Sequence, residues 1–276
     1  MEIKTLQHWI QKHFHIDDFT LLKLDKGFSN DNYLLCIGSE KFVVRSPRED
    51  HALLSLQFKH EHQVISKVQE IDVPCVFFDI ETGIKITKYI DPVWEFNDFK
   101  QEDKYKKVGL LLKKMHSLKK VPFCFDPYKK MKTYKQNCTN IFVHFDKEEE
   151  TISQFLSIYQ PNTLCHNDLV SGNLLFNNHK CYLIDHEYAA TNDYRFDIAS
   201  FFSENQILDS NNRNQFYQGY FENIPDTIEE EVLCFEKMED ILWGYWANML
   251  YNQRHEEIYM QIANDKVNHY KKINRR

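Results

Sequence analysis

The sequence predicts an α+β protein of two lobes, a small antiparallel β lobe over residues 1–90 and a mainly helical lobe over 91–276. Three observations predict it. Short runs of Val, Ile, Leu and Phe broken by glycine turns fill much of the first ninety residues. Beyond Asp91-Pro92 the apolar period changes to 3.6. A chain of 276 residues is long enough for one large core or two lobes.

In order, residues 19–24 form an apolar-rich strand that ends in the turn signal Asp25-Lys26-Gly27. Runs 33–37 and 41–45 flank Gly38-Ser39-Glu40, a hairpin with glycine in the turn. Residues 54–70 hold apolar side chains at 54, 58, 64, 65 and 68 with no Gly or Pro, which predicts a helix. Runs 75–79 and 84–90 around Glu81-Thr82-Gly83 make a further strand pair. The lobe boundary falls near 90–97. Residues 105–118 place apolar side chains at 108, 111, 112, 115 and 118, one face of a helix. Pro122 and Pro127 mark a loop, and 148–159 read as a helix that stops at Pro161. A β island at 164–176 and 181–184 interrupts the helices. From 196 onward nearly everything reads as helix, broken by Asn-rich and Pro225 segments.

Composition narrows the function. Asp plus Glu number 41 against 34 Lys plus Arg, a net charge of −7, which disfavours nucleic acid as the main partner and suits a small cationic substrate. The seven cysteines are scattered without a C-x-x-C pair, so they read as reduced intracellular thiols and not as zinc ligands. The opening residues MEIKTLQH lack the apolar core of a secretion signal, and no run of about 18 apolar residues follows. A cytoplasmic protein without stable membrane insertion is expected; oligomeric state is left open.

Chemistry concentrates in LCHNDLVSGNLLFNNHKCYLID, residues 164–185. His166 and Asp168 are followed by Asn173 five residues after Asp168, and by Asp185 twelve further on at the end of an apolar strand. Singly, each of these residues suits a turn or a strand end. Together they match phosphoryl transfer from ATP: Asp168 takes the proton of the attacking hydroxyl, while Asn173 and Asp185 hold Mg²⁺ on the phosphates. His166 is expected to shape the loop and not to carry protons. Gly27-Phe28-Ser29-Asn30 lies between two strands, where backbone N–H groups, with Ser29 and Asn30, can meet phosphates. Arg45 ends a strand where it can grip phosphate, with Lys41 as the alternative, and Glu61 is the best partner to hold Arg45.

These residues resemble the choline/ethanolamine kinase family, in its bacterial form, within the wider aminoglycoside-phosphotransferase-like kinases. The resemblance runs from about Lys26 to the C-terminal helices and is strongest in CHNDLVSGNLLF, YLIDHEYA and NDYRFDIASFFSEN. It implies a protein-kinase-like fold, with Asp168 as base, Asn173 and Asp185 as metal ligands and Arg45 in place of the usual lysine. It also implies a hinge at 87–90, where Lys88 and Ile90 meet adenine, and a buried Asp197 that braces the catalytic loop.

ILWGYW, residues 241–246, points to choline: Trp243 and Trp246 lie three apart on one helix face, and a quaternary ammonium is recognised by aromatic faces. Tyr259 is a third candidate wall, and Glu204 matches the family's acidic residue that balances the cation. Asn205, Ile262 and the polar segment 209–214 depart from the pattern, which suggests a more open pocket; His186 beside Asp185 also departs and bears on pH dependence, and the role of Glu187 stays open. The expected activity is transfer of a phosphoryl group from ATP to choline. Ethanolamine, an aminoglycoside or another amino alcohol is the alternative acceptor, and an inactive nucleotide-binding scaffold is the remaining reading.

Overall fold

The computed structural model describes residues 3–24, 30–48 and 57–275. A five-stranded antiparallel sheet forms from β1 (Thr20–Leu24), β2 (Asn30–Ile37), β3 (Glu40–Pro47), β4 (Cys75–Phe78) and β5 (Lys85–Lys88), in spatial order β1-β2-β3-β5-β4. Gly38, at φ +58°, takes the left-handed turn between β2 and β3. The register sets Arg45 of β3 opposite Lys85 of β5.

Helix α1 (Ile3–Phe14) covers this sheet, a helix the strand-dominated reading of the first ninety residues did not include. Its signal is in the chain: Leu6 and Ile10 lie four apart and bury against Leu21, Leu35, Val44 and Ile86. Helix α2 (Phe58–Ile65) is shorter than the expected 54–70. Residues 54–56 lie outside the described residues. At the other end successive turns replace the helix after Ile65, dropping Val68 and Ile71 into the larger core, where the Ile71 carbonyl accepts from Leu183 N.

The remainder comprises β6 (Trp94–Glu95), α3 (Lys104–His116), α4 (Pro127–Gln136), α5 (Glu148–Ile158), β7 (Thr163–Cys165), β8 (Leu174–Phe176), β9 (Cys181–Leu183), β10 (Ala190–Asn192), α6 (Tyr194–Glu204), α7 (Ser210–Tyr220), α8 (Ile228–Arg254) and α9 (Glu257–Ile273). The β island is two small sheets, β6-β8-β9 and β10-β7. Pro127 starts a helix instead of marking a loop. It fills the first helical position, where no N–H is needed, and the Asp126 carboxylate accepts from Lys129 N as the cap. Helix α8 is the axis of the larger core, with nearly every residue from Met238 to Leu250 buried. Among the described residues, no helix is long and apolar enough to cross a membrane.

Candidate active site

The turn after β7 is built around one buried carboxylate. Asp197, on α6, accepts from the backbone N–H groups of His166 (2.8 Å) and Asn167 (2.7 Å), and His116 Nε2 of α3 lies 2.9 Å from it. The other ring nitrogen of His116 meets Tyr220 Oη of α7 at 2.7 Å. Asn167 takes φ +68° and donates its amide to the Tyr188 carbonyl, which turns Asp168 outward to a half-buried position. His166 Nε2 meets the Ile184 carbonyl at 2.9 Å, tying the turn to the residue before Asp185. Burial, with His186 beside it, lowers His166 to about 4, so its ring is neutral at physiological pH.

Asn173 sits at the end of a short 3-10 turn, and its side-chain amide donates to the Asp168 carbonyl and carboxylate at 2.9 and 3.0 Å. Its backbone carbonyl accepts from Ile184 N, which sets Asp185 beside it. Asp185 is held at φ +64° with its carboxylate on Arg45 Nη1 at 2.6 Å. The chain therefore brings Asp168, Asn173, Asp185 and Arg45 to one place. The amide nitrogen of Asn173 is committed to Asp168, so its carbonyl oxygen and the Asp185 carboxylate are hard oxygen donors that fit Mg²⁺.

Electrostatics sharpen the site. Burial, then the charges of Glu204 and Asp185, push the Asp168 carboxyl up to about 7. Arg45 is buried and pairs with Glu61 through its second nitrogen, while Lys85 Nζ reaches the other Glu61 oxygen at 3.3 Å. Burial alone would raise the Glu61 carboxyl, but these two cations reverse it and hold it at about 2. Lys85 escaped the sequence reading, since only the β3–β5 register shows that it faces Arg45. Lys41 is exposed at the far end of β3, so the geometry favours Arg45 over it. Ser29 lies outside the described residues. Asn30 donates to Glu187 Oε2 at 2.8 Å, a direct link from the sheet to the turn after Asp185. At Lys88 the expected adenine contact is one of backbone, and the side chain turns to a neighbouring strand. Its ammonium pairs with Glu40 (2.9 Å) on an exposed surface and its backbone N–H goes to Pro74, whereas Ile90 is half-buried.

Aromatic side chains gather around α8, buried in the larger core. Trp243 and Trp246 meet edge to face at 5.8 Å, and Tyr259 of α9 adds a ring 5.8 Å from Trp246. Tyr188, which the sequence reading missed, packs on Trp243 at 5.4 Å. Its only sequence signal is an aromatic three residues after Asp185. Glu204 is not free to balance a cation, since Lys266 Nζ of α9 lies 2.6 Å from it and also reaches Ser203. That pair came from α9, 62 residues away, and spacing does not reveal it. Asn205 donates to the Leu169 and Phe201 carbonyls and forms no wall. A cleft of about 590 Å³ opens past Glu204, Lys266 and Ile262.

A buried Arg–Glu pair in a β lobe, set over an Asp, Asn and Asp group in a helical lobe, defines a small-molecule phosphotransferase. The chain belongs to the APH phosphotransferase enzyme family, whose pattern matches residues 20–228. The protein LicA of Haemophilus influenzae is 25% identical over 248 residues, covering 81% of this chain and 71% of its own length. The choline kinase LicA from Streptococcus pneumoniae superposes with a TM-score of 0.80 at 21% identity, covering 98% of both chains. A choline/ethanolamine kinase family protein from Mesorhizobium loti gives 0.81 at 17% identity, covering 99% of this chain and 95% of that one. These structural likenesses establish the protein-kinase-like fold.

Proposed function

We propose that the protein transfers the γ-phosphoryl group of ATP to the hydroxyl of choline, giving phosphocholine and ADP. The observation that carries the reading is the aromatic group Trp243, Trp246, Tyr188 and Tyr259, of which Tyr188 lies in the electrostatic reach of the Asp168 carboxylate. A trimethylammonium offers no N–H donor, so ring faces recognise it where hydrogen-bond acceptors cannot. The likeness to LicA proteins supports the same acceptor.

Asp168 accepts the hydroxyl proton as the oxygen attacks phosphorus, and its burial, which favours the protonated form, suits it to that task. The Asn173 amide aims the carboxylate. Asn173 and Asp185 would hold Mg²⁺, which offsets the charge on the phosphate oxygens when bound. Arg45, already beside Asp185, supplies a planar grip on phosphate oxygens, with Glu61 and Lys85 fixing its direction. Asn30 would line the nucleotide side, and Ile90 and the backbone at Lys88 the adenine side. Asp197 and His166 support the loop.

The test couples ADP release to acceptor, with ATP, Mg²⁺ and choline, ethanolamine or kanamycin in parallel. Choline-dependent turnover is expected, and Asp168→Ala should lower it by roughly 10²–10⁴-fold. Turnover only with ethanolamine or kanamycin would replace the acceptor while keeping the phosphotransferase. ATP binding with no turnover on any acceptor would favour a scaffold.

A further inference from the structure

Helix α8 buries three carboxyls in little more than one turn, Glu236, Glu239 and Asp240, all fully inaccessible. Two of them are answered. Arg213 of α7 pairs with Glu236, and His269 Nδ1 of α9 lies 2.7 Å from Asp240. Glu239 is not. Among the described residues no cation forms an ion pair with it; Ser200 of α6 lies within hydrogen-bond reach of its carboxyl, and its Oε2, like that of Glu236, has no close partner. Its Oε1 faces Trp243 Nε1 at 3.4 Å, one helical turn along. Lys266 is the nearest positive charge, but its ammonium is taken by Glu204 at 2.6 Å and Ser203 at 3.0 Å. A buried carboxyl with no cation beside it rests neutral, and it ionises only when a positive group comes near.

Building on the choline kinase reading, which sets Trp243 against the acceptor, we propose that Glu239 is the carboxyl that selects a positively charged acceptor, acting through the Trp243 indole whose Nε1–H it faces. A carboxylate behind Nε1–H draws that proton and enriches the ring face, which strengthens its hold on a cation. Glu204 cannot serve alone, because Lys266 already neutralises it. The groups facing Glu239 are Ser200 and Glu204 of α6, Lys266 of α9 and Asp240 of its own helix. Burial sets its carboxyl well above the ordinary range, so its negative charge develops when a positive group arrives to balance it. The proton then leaves to solvent. Glu239 is a positioning and specificity residue, not a catalytic one.

The test compares choline with its uncharged carbon isostere, 3,3-dimethylbutan-1-ol, as acceptors for the wild-type protein and Glu239→Gln. The wild type should prefer choline strongly. Glu239→Gln should cut the ratio of kcat/KM for choline over the isostere by about tenfold, with KM for ATP unchanged. An unchanged ratio, or equal losses on both acceptors, would overturn the proposal while leaving the choline kinase reading intact. A wild type that turns over neither compound overturns both. Should Glu239→Gln not fold, Glu239→Asp decides the matter on the same ratio: a smaller drop supports the role, and none refutes it.

Discussion

Lys130 carries a cation into a place where, among the described residues, no anion pairs with it. Its ammonium lies over the rings of Phe125 and Tyr188, 5.2 and 5.7 Å from their centroids, and burial lowers it to about 8. The unfolded chain keeps that proton to about 10.5. Between these values the unfolded state binds more protons, so Lys130 makes stability rise with pH from about 8 to 10.5, and its cost is full below 8. Lys130→Met should therefore raise the melting temperature at pH 7 by a few degrees and flatten that rise. Thermal melts at pH 7, 8, 9 and 10 check it, and a variant melting lower at pH 7 with the slope intact would refute it. At this scale the sequence was legible wherever residue type dictates chemistry: Asp168, Asn173 and Asp185 gather as their spacing suggests, and Arg45 joins them from the end of its strand. Glu204 was misjudged and Lys85 and Glu239 were not seen, because pairing depends on which strand or helix comes alongside. Spacing along one segment holds no record of that.

Helices α3 and α7 cross where two glycines face each other's backbone. A methyl on Gly109 would run into the Phe216 carbonyl, and one on Gly219 into the Lys106 carbonyl. The obstacles are main-chain atoms, so relief requires the helices to separate. Gly109→Ala or Gly219→Ala should cost about 1–3 kcal/mol in urea unfolding. The same crossing holds His116 and Tyr220, which brace Asp197, so turnover should fall beyond what lost stability explains once assays are run well below the melting point. Wild-type stability and turnover in both variants would refute the close-packing account. Elements were legible where periodicity was long, as in α3 and α5. Helix α4 was hidden because proline reads as a break until Asp126 is seen to cap it, and α1 because its apolar pairs precede the strand signals. The overrun of α2 has a tertiary cause: nothing local ends it, but Ile71 must reach β9.

The molecule as a whole has two apolar cores, one between α1 and the sheet and one around α8, and polar links join them. The change of period near residue 90 announces that division. It says nothing of how the parts dock, and Val64, Val68 and Ile71 pack into the larger core although they precede the change. Among the contacts that hold the docking are Arg45 on Asp185, Asn30 on Glu187, His186 Nε2 at 3.2 Å from Asp72, and the His60 ring stacked on Phe123 at 3.7 Å with 4° between planes. The first three touch the candidate site, whereas the stack lies away from it and ties α2 to the loop before α4. Helix α2 also carries Glu61, so an α2 that rocks loosens Arg45. An aromatic pair contributes about 0.5–1.5 kcal/mol, which corresponds to roughly two- to tenfold in an equilibrium that needs α2 docked. His60→Ala should weaken ATP binding by that factor in titration calorimetry. It should also speed hydrogen exchange in β3 and β5 while leaving α8 as protected as before. Equal acceleration in α8 would mean that the stack supports the whole fold, and unchanged ATP affinity would mean that Arg45 is held without it.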